Sequence, residues 1–170
     1  RIVWHHQFDQ NDHDDGSKTF LNETGNFNGS DVIEIICRQK ATAEFISRHL
    51  YNFFVADEPQ VPTWNDVPPQ DPDAINAMAN AFTESGGEIR SVLRVMFNSD
   101  FFKNATYRKV KSPIEVVVGT LKLTGALEKP DPEWNQIGTD PEKMGQNLLD
   151  PPSVEGWHTG KELSLIHISE

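Results

Sequence analysis

The chain has 170 residues, enough for one domain or part of a larger one, and its 36% hydrophobic content, with ten Phe and four Trp, suffices for a core. A net charge of −11 argues against a nucleic-acid surface, because no basic stripe exists to neutralise phosphates. One cysteine, Cys37, excludes an internal disulfide and a cysteine-built zinc site, and no run approaches the roughly 18 apolar residues of a membrane span.

The chain opens at Arg1 rather than Met, inside the strand-like run Ile2-Val3-Trp4, which predicts a missing upstream part. Its last eight residues, Leu163 to Glu170, read as translated sequencing-adapter DNA and are set aside from fold reasoning. Residues 1–162 are thus expected to be the C-terminal part of one helical domain, and 163–170 an artefactual tail. Extended candidates at 2–8 and 17–21 flank a polar turn from Asp9 to Gly16, where Asp14-Asp15-Gly16 supplies the turn chemistry. Gly25 to Gly29 reads as a loop. Asp31 with Glu34 resembles a capping box for a short helix over 32–39, whose stripe of Val32, Ile33, Ile36 and Cys37 places the Cys37 thiol in the core.

The spacing then predicts a helix over 42–55, with Phe45, Ile46, Leu50, Phe53 and Phe54 inward and Glu44, Arg48 and Asn52 opposite. Five prolines between 57 and 72 make a loop, with Trp64 tacked onto the surface. Asp71-Pro72 caps a helix over 73–85 that turns Ile75, Met78, Ala79 and Phe82 inward and ends at Gly86-Gly87. A further helix over 88–97 carries Ile89, Val92, Leu93, Met96 and Phe97. Ser112-Pro113-Ile114-Glu115 combines a capping box with Pro at the first helical position, starting a helix over 113–124 that buries Ile114, Val117, Val118 and Leu121. Asp140-Pro141 starts a last short helix with Met144 and Leu148, stopped by Pro151-Pro152. The predicted fold is mainly α: an irregular multi-helix bundle with a short N-terminal β-hairpin and long Pro-rich loops.

Residue types that carry chemistry concentrate at the start: His5, His6, Asp9, Asp12, His13, Asp14 and Asp15. Imidazole and carboxylate together suit a divalent ion, and the candidate metal ligands are His13 and Asp14 with His5 or Asp15. The spacing is neither His-Glu-x-x-His nor a calcium loop, since counting back from Gly16 puts Asn11, His13 and Asn22 at the wanted carboxylate positions. The competing reading, which we favour, is a solvated acidic turn in which Asp14 or Asp15 bonds local backbone amides. No catalytic or cofactor-binding residue stands out; Ser112 is explained by capping, because Gly-x-Ser-x-Gly is absent. Trp64, Trp134 and Trp157 lie in Pro- or Gly-rich stretches and read as pins that hold loops to the core, with stacking on sugars as the alternative.

Several blocks occur in a specific order: His13-Asp14-Asp15-Gly16-Ser17-Lys18-Thr19-Phe20-Leu21, Gly25-Asn26-Phe27-Asn28-Gly29, Ala41 to Val55, Lys111 to Thr120, and Pro151-Pro152-Ser153-Val154-Glu155-Gly156-Trp157. This set resembles the C-terminal part of the bacterial family called domain of unknown function 1800. The resemblance implies a large, mostly helical protein, often with an export signal and often encoded beside a sulfatase-like family, domain of unknown function 1501. It carries no catalytic residues over. The chain departs from the pattern at Lys40, where Pro commonly precedes the long helix, and after Gly156-Trp157. The function expected is a scaffold or interaction domain of an exported or envelope protein, with a sulfatase-like protein or carbohydrate as partner. The alternative is a metal-assisted hydrolase built on the His/Asp segment and groups from the missing half.

Overall fold

The computed structural model describes residues 8–59, 61–125, 129, 134–154, 156–158, 160 and 163. The fold is mainly α, with a two-stranded hairpin near its N-terminal end. Strands β1 (Lys18–Phe20) and β2 (Glu23–Gly25) pair antiparallel, with Phe20 opposite Glu23. Leu21 and Asn22 turn the chain at φ 46° and 67°, so both central residues are left-handed, as a two-residue type I′ turn requires. The strand expected over 17–21 therefore pairs with 23–25 across this tighter turn, and 9–16 is a separate loop. Of the extended candidate 2–8, all but Phe8 lie outside the described residues. The sequence hid this turn because Leu rarely takes positive φ and no glycine marks it.

Helix α1 (Gly29–Cys37) starts earlier than expected because Asn28, not Asp31, is its cap. The Asn28 side chain accepts from the Ser30 and Asp31 amides, and the Asp31 carboxylate accepts from the Asn28 amide, so Asp31 is the reciprocal partner of the box. Only Ile35 is buried on this helix, whereas Ile33 is 62% exposed. Cys37 is also exposed, which corrects the expectation of a buried thiol. The helix leans chiefly on α2, so one narrow face suffices.

The core lies where α2 (Lys40–Phe54), α3 (Pro72–Glu84) and α4 (Ile89–Asn98) meet. Along α2 the buried face is Ala43, Ser47, Tyr51 and, just past its end, Val55, a four-residue spacing with two small members. This differs from the expected stripe. Phe45, Phe53 and Phe54 are partly exposed, and the last two join Phe97 and Phe102 in a series of edge-to-face contacts. Helix α3 follows expectation: the Asp71 carboxylate caps the Ala74 amide, Pro72 sits in the first turn, and Ile75, Met78, Ala79 and Phe82 are all buried. It ends in a Schellman arrangement, with the Gly87 amide on the Phe82 carbonyl and the Gly86 amide on that of Thr83. Gly86 stands at φ +70°, a conformation that a side chain would strain. On α4, Val92 and Met96 are buried and Leu93 half-buried, while Ile89 and Phe97 are about two-fifths exposed.

Beyond the short α5 (Asp100–Lys103), α6 (Pro113–Leu123) begins with the expected capping box between Ser112 and Glu115. Its apolar residues Ile114, Val117, Val118 and Leu121 are half-buried rather than buried, because the short α8 (Asp140–Lys143) covers it over only part of its surface. Gln146 accepts from the Ile114 amide at 3.0 Å and ties the two together. Between them lies α7 (Trp134–Ile137). Leu163, the first residue of the expected artefactual tail, is buried at 5% exposure. It lines a cavity shared with Val110, Pro113, Met144 and Gly160.

Lys40 occupies the first position of α2, where the family-like pattern has Pro. The Gln39 cap is extended (φ −70°, ψ 136°) and makes no side-chain capping bond. That backbone accepts a following proline without strain, and a lysine there meets the positive end of the helix dipole. Lys40→Pro is thus expected to stabilise the chain by about 0.4–1 kcal/mol, read as a higher urea midpoint at unchanged slope. The lost Lys40–Glu44 pair is exposed and offsets little of this gain. A lowered midpoint would contradict the assigned helix start.

Candidate functional site

The segment singled out for metal binding spends its polar groups on itself. Asp14 Oδ1 accepts from the Gly16 amide at 2.8 Å, a local turn bond. His13 Nδ1 lies 3.0 Å from Asp15 Oδ1, and its Nε2 lies 3.3 Å from the Phe27 carbonyl oxygen. Both partners are acceptors, so each ring nitrogen faces an oxygen rather than open space where a metal ion could sit. The bond from His13 is the main reason that the Asp15 carboxyl titrates below its ordinary value. The carbonyl oxygens that a hard cation would seek are already occupied. The Lys18 ammonium donates to the Asp14 and Gly16 carbonyls and to the Asn26 side-chain oxygen. Two family-like blocks, 13–21 and 25–29, thus clamp each other. Of the four candidate ligands, His13 and Asp15 meet, Asp14 turns to its own loop, and His5 lies outside the described residues. Among the described residues no three His, Cys, Asp or Glu side chains are arranged to hold a metal ion.

A second constellation was not anticipated from the sequence. The Pro-rich stretch between α2 and α3 contains a 3-10 turn (Val61–Asn65), and a buried ion pair holds the stretch to α2. The Arg48 and Glu58 side chains are 7% and 0% exposed. Arg48 Nε donates to Glu58 Oε2 at 2.9 Å, and Nη2 stands 2.7 Å from the same oxygen without an aligned N–H. Arg48 Nη1 donates to the Val67 carbonyl, and Glu58 Oε1 accepts from the Gln70 amide. The Asn52 side chain accepts from the Glu58 amide, and Gln70 Nε2 donates to the Asp57 carbonyl. Trp64 completes the clamp: its indole N–H donates to the Pro59 carbonyl at 2.7 Å, and the Arg48 guanidinium lies 4.6 Å from its ring centre. Trp64 is therefore a pin, as the first of the two readings had it. Trp134 and Trp157 are likewise half-buried.

The clamp leaves a cleft of about 440 Å³ between the first half of α2, the 3-10 turn and the start of α3. Phe45 and Trp64 meet edge-on at 5.7 Å in its wall, and Glu44, Arg48, Asn65 and Asn76 line it. The signals that could have found it are an arginine inside an apolar run and a glutamate beside a proline ten residues later. Neither is specific alone.

Behind Trp64, the His49 ring lies 4.6 Å from the indole and 4.4 Å from Phe45. Burial lowers its pKa below the ordinary 6.5. The folded-state value is the depressed one, so its contribution to stability is complete above about pH 6.5 and is lost as pH falls through the folded value. Stability is expected to fall as pH drops below about 6.5 more steeply in the parent chain than in His49→Phe. Parallel pH profiles for the two would contradict the desolvation of the half-buried His49.

What these features define is a mainly helical chain with a preformed cleft between α2 and α3. The chain belongs to the family described as Protein of unknown function (DUF1800), whose model matches residues 4–163. No curated protein and no solved structure matches the chain. Among the described residues no helix is long and apolar enough to cross a membrane.

Proposed function

We propose that this chain is a non-catalytic scaffold or interaction domain of an exported or envelope bacterial protein, with carbohydrate or a sulfatase-like protein of the domain of unknown function 1501 family as partner. The observation that carries this reading is the contrast between the two constellations. In the 9–18 loop the acidic and imidazole groups hold the loop closed, whereas the α2–α3 cleft keeps polar groups open to an incoming molecule. The family resemblance supports the exported setting and the choice of partners.

The alternative, a metal-assisted hydrolase using His13, Asp14, His5 and Asp15, requires the loop to surrender the His13–Asp15 and Lys18 contacts before a metal can enter. Calorimetry with zinc and manganese on the 170-residue chain separates the two. No heat at micromolar concentration is expected. Stoichiometric heat that fades below about pH 6.5 and disappears in His13→Ala would overturn the proposal in favour of the metal site.

A further inference from the structure

We propose that the α2–α3 cleft is a binding site for a neutral sugar unit of a glycan, a reading that rests on the chain being an interaction module. Its volume of about 440 Å³ falls in the range of small-molecule sites. One wall is aromatic: Phe45, 47% exposed, meets Trp64 edge-on, which gives the C–H face of a sugar ring an apolar surface to lie against. Pro69 extends that surface.

The polar groups select the chemistry. Asn65 and Asn76 each offer a donor and an acceptor, and Glu44 offers acceptors. Neighbouring hydroxyls both donate and accept, so they can satisfy this mixture. A proline-rich peptide presents mainly carbonyls, which only accept, and would leave the carboxamide oxygens of Asn65 and Asn76 without donors. Charge points the same way. Glu58 offsets Arg48 at 2.7 Å and Lys40 offsets Glu44 at 2.8 Å, so the cleft presents no net charge to a ligand. A guanidinium already neutralised by Glu58 is suited to a hydroxyl oxygen rather than to an anion.

Saturation-transfer NMR on the 170-residue chain tests this with short neutral oligosaccharides of the β-glucan, chitin and α-glucan types, alongside an acidic uronan and a proline-rich peptide. Saturable transfer to at least one neutral oligosaccharide is expected, with weaker transfer to the uronan. Phe45→Ala and Asn76→Ala should each weaken the binding by about tenfold or more. Both side chains are substantially exposed, so the melting temperature should stay near that of the parent. The proposal is overturned by silence from every neutral oligosaccharide, by binding that both variants leave intact, by equal or stronger binding of the uronan, or by binding of the peptide instead. Such a failure with no metal heat in calorimetry leaves the interaction reading standing; metal heat is what would remove that reading.

Discussion

Glu58→Ala is expected to destabilise the chain by about 3–5 kcal/mol, because it strands a buried guanidinium. Arg48 is 7% exposed at its side chain, and its remaining contacts, the Val67 carbonyl and the Trp64 ring, do not neutralise it. The Gln70 amide loses its acceptor in the same step. Against the 5–15 kcal/mol that holds a typical domain folded, this is a large fraction. The sign is specific to breaking the pair. Replacing both partners by apolar residues, as in Arg48→Met with Glu58→Leu, should recover much of the loss, since desolvating two charges offsets most of what their attraction returns. Urea unfolding of Arg48→Met, Glu58→Leu and the double variant, beside Glu58→Ala, checks this as a cycle. Additive losses would mean that the two side chains do not interact.

Met78→Ala is expected to cost about 2–5 kcal/mol for a different reason. Met78 is 0% exposed on α3, in the cluster that gathers Tyr51 and Val55 from α2 and Val92 and Met96 from α4. Truncation leaves a void that three helices must collapse into, and a close-packed interior collapses only in part. The urea midpoint should drop at unchanged slope. Met144→Ala is the matched control: Met144 is 40% exposed, and its loss should stay within about 0.5 kcal/mol. Equal losses at the two sites would contradict the placement of the core.

Local chemistry explains which parts of this structure could be read from sequence. Helices α3 and α6 were legible at their starts because Asp71-Pro72 and Ser112-Pro113-Ile114-Glu115 combine a cap with a fixed φ, signals that need no tertiary partner. The buried face of α3 was legible because its large residues coincide with its contact face. On α2 they do not. Its buried face runs over Ala43 and Ser47, small residues that a hydrophobic stripe does not single out, while Phe45, Phe53 and Phe54 are partly exposed and meet other aromatic rings. The burial of Arg48 was illegible for a related reason: an arginine is buried only with its partner, and Glu58 arrives from a loop that periodicity cannot describe. The candidate loop at 9–18 showed the right residue types, but whether His and Asp bind a metal or each other depends on where Lys18 and Phe27 fall, which spacing alone does not fix.

The cleft is preformed because the Pro-rich stretch between α2 and α3 is a fixed wall rather than a floppy connection. Amide hydrogen exchange reads this directly, because the Glu58 and Gln70 N–H groups are held by side-chain oxygens of Asn52 and Glu58. Both amides are expected to be protected to a degree comparable with those of α2, and both should lose protection in Arg48→Met, which removes the cation that positions Glu58. Exchange of these two amides at the rate of an open loop in the parent chain would contradict the account.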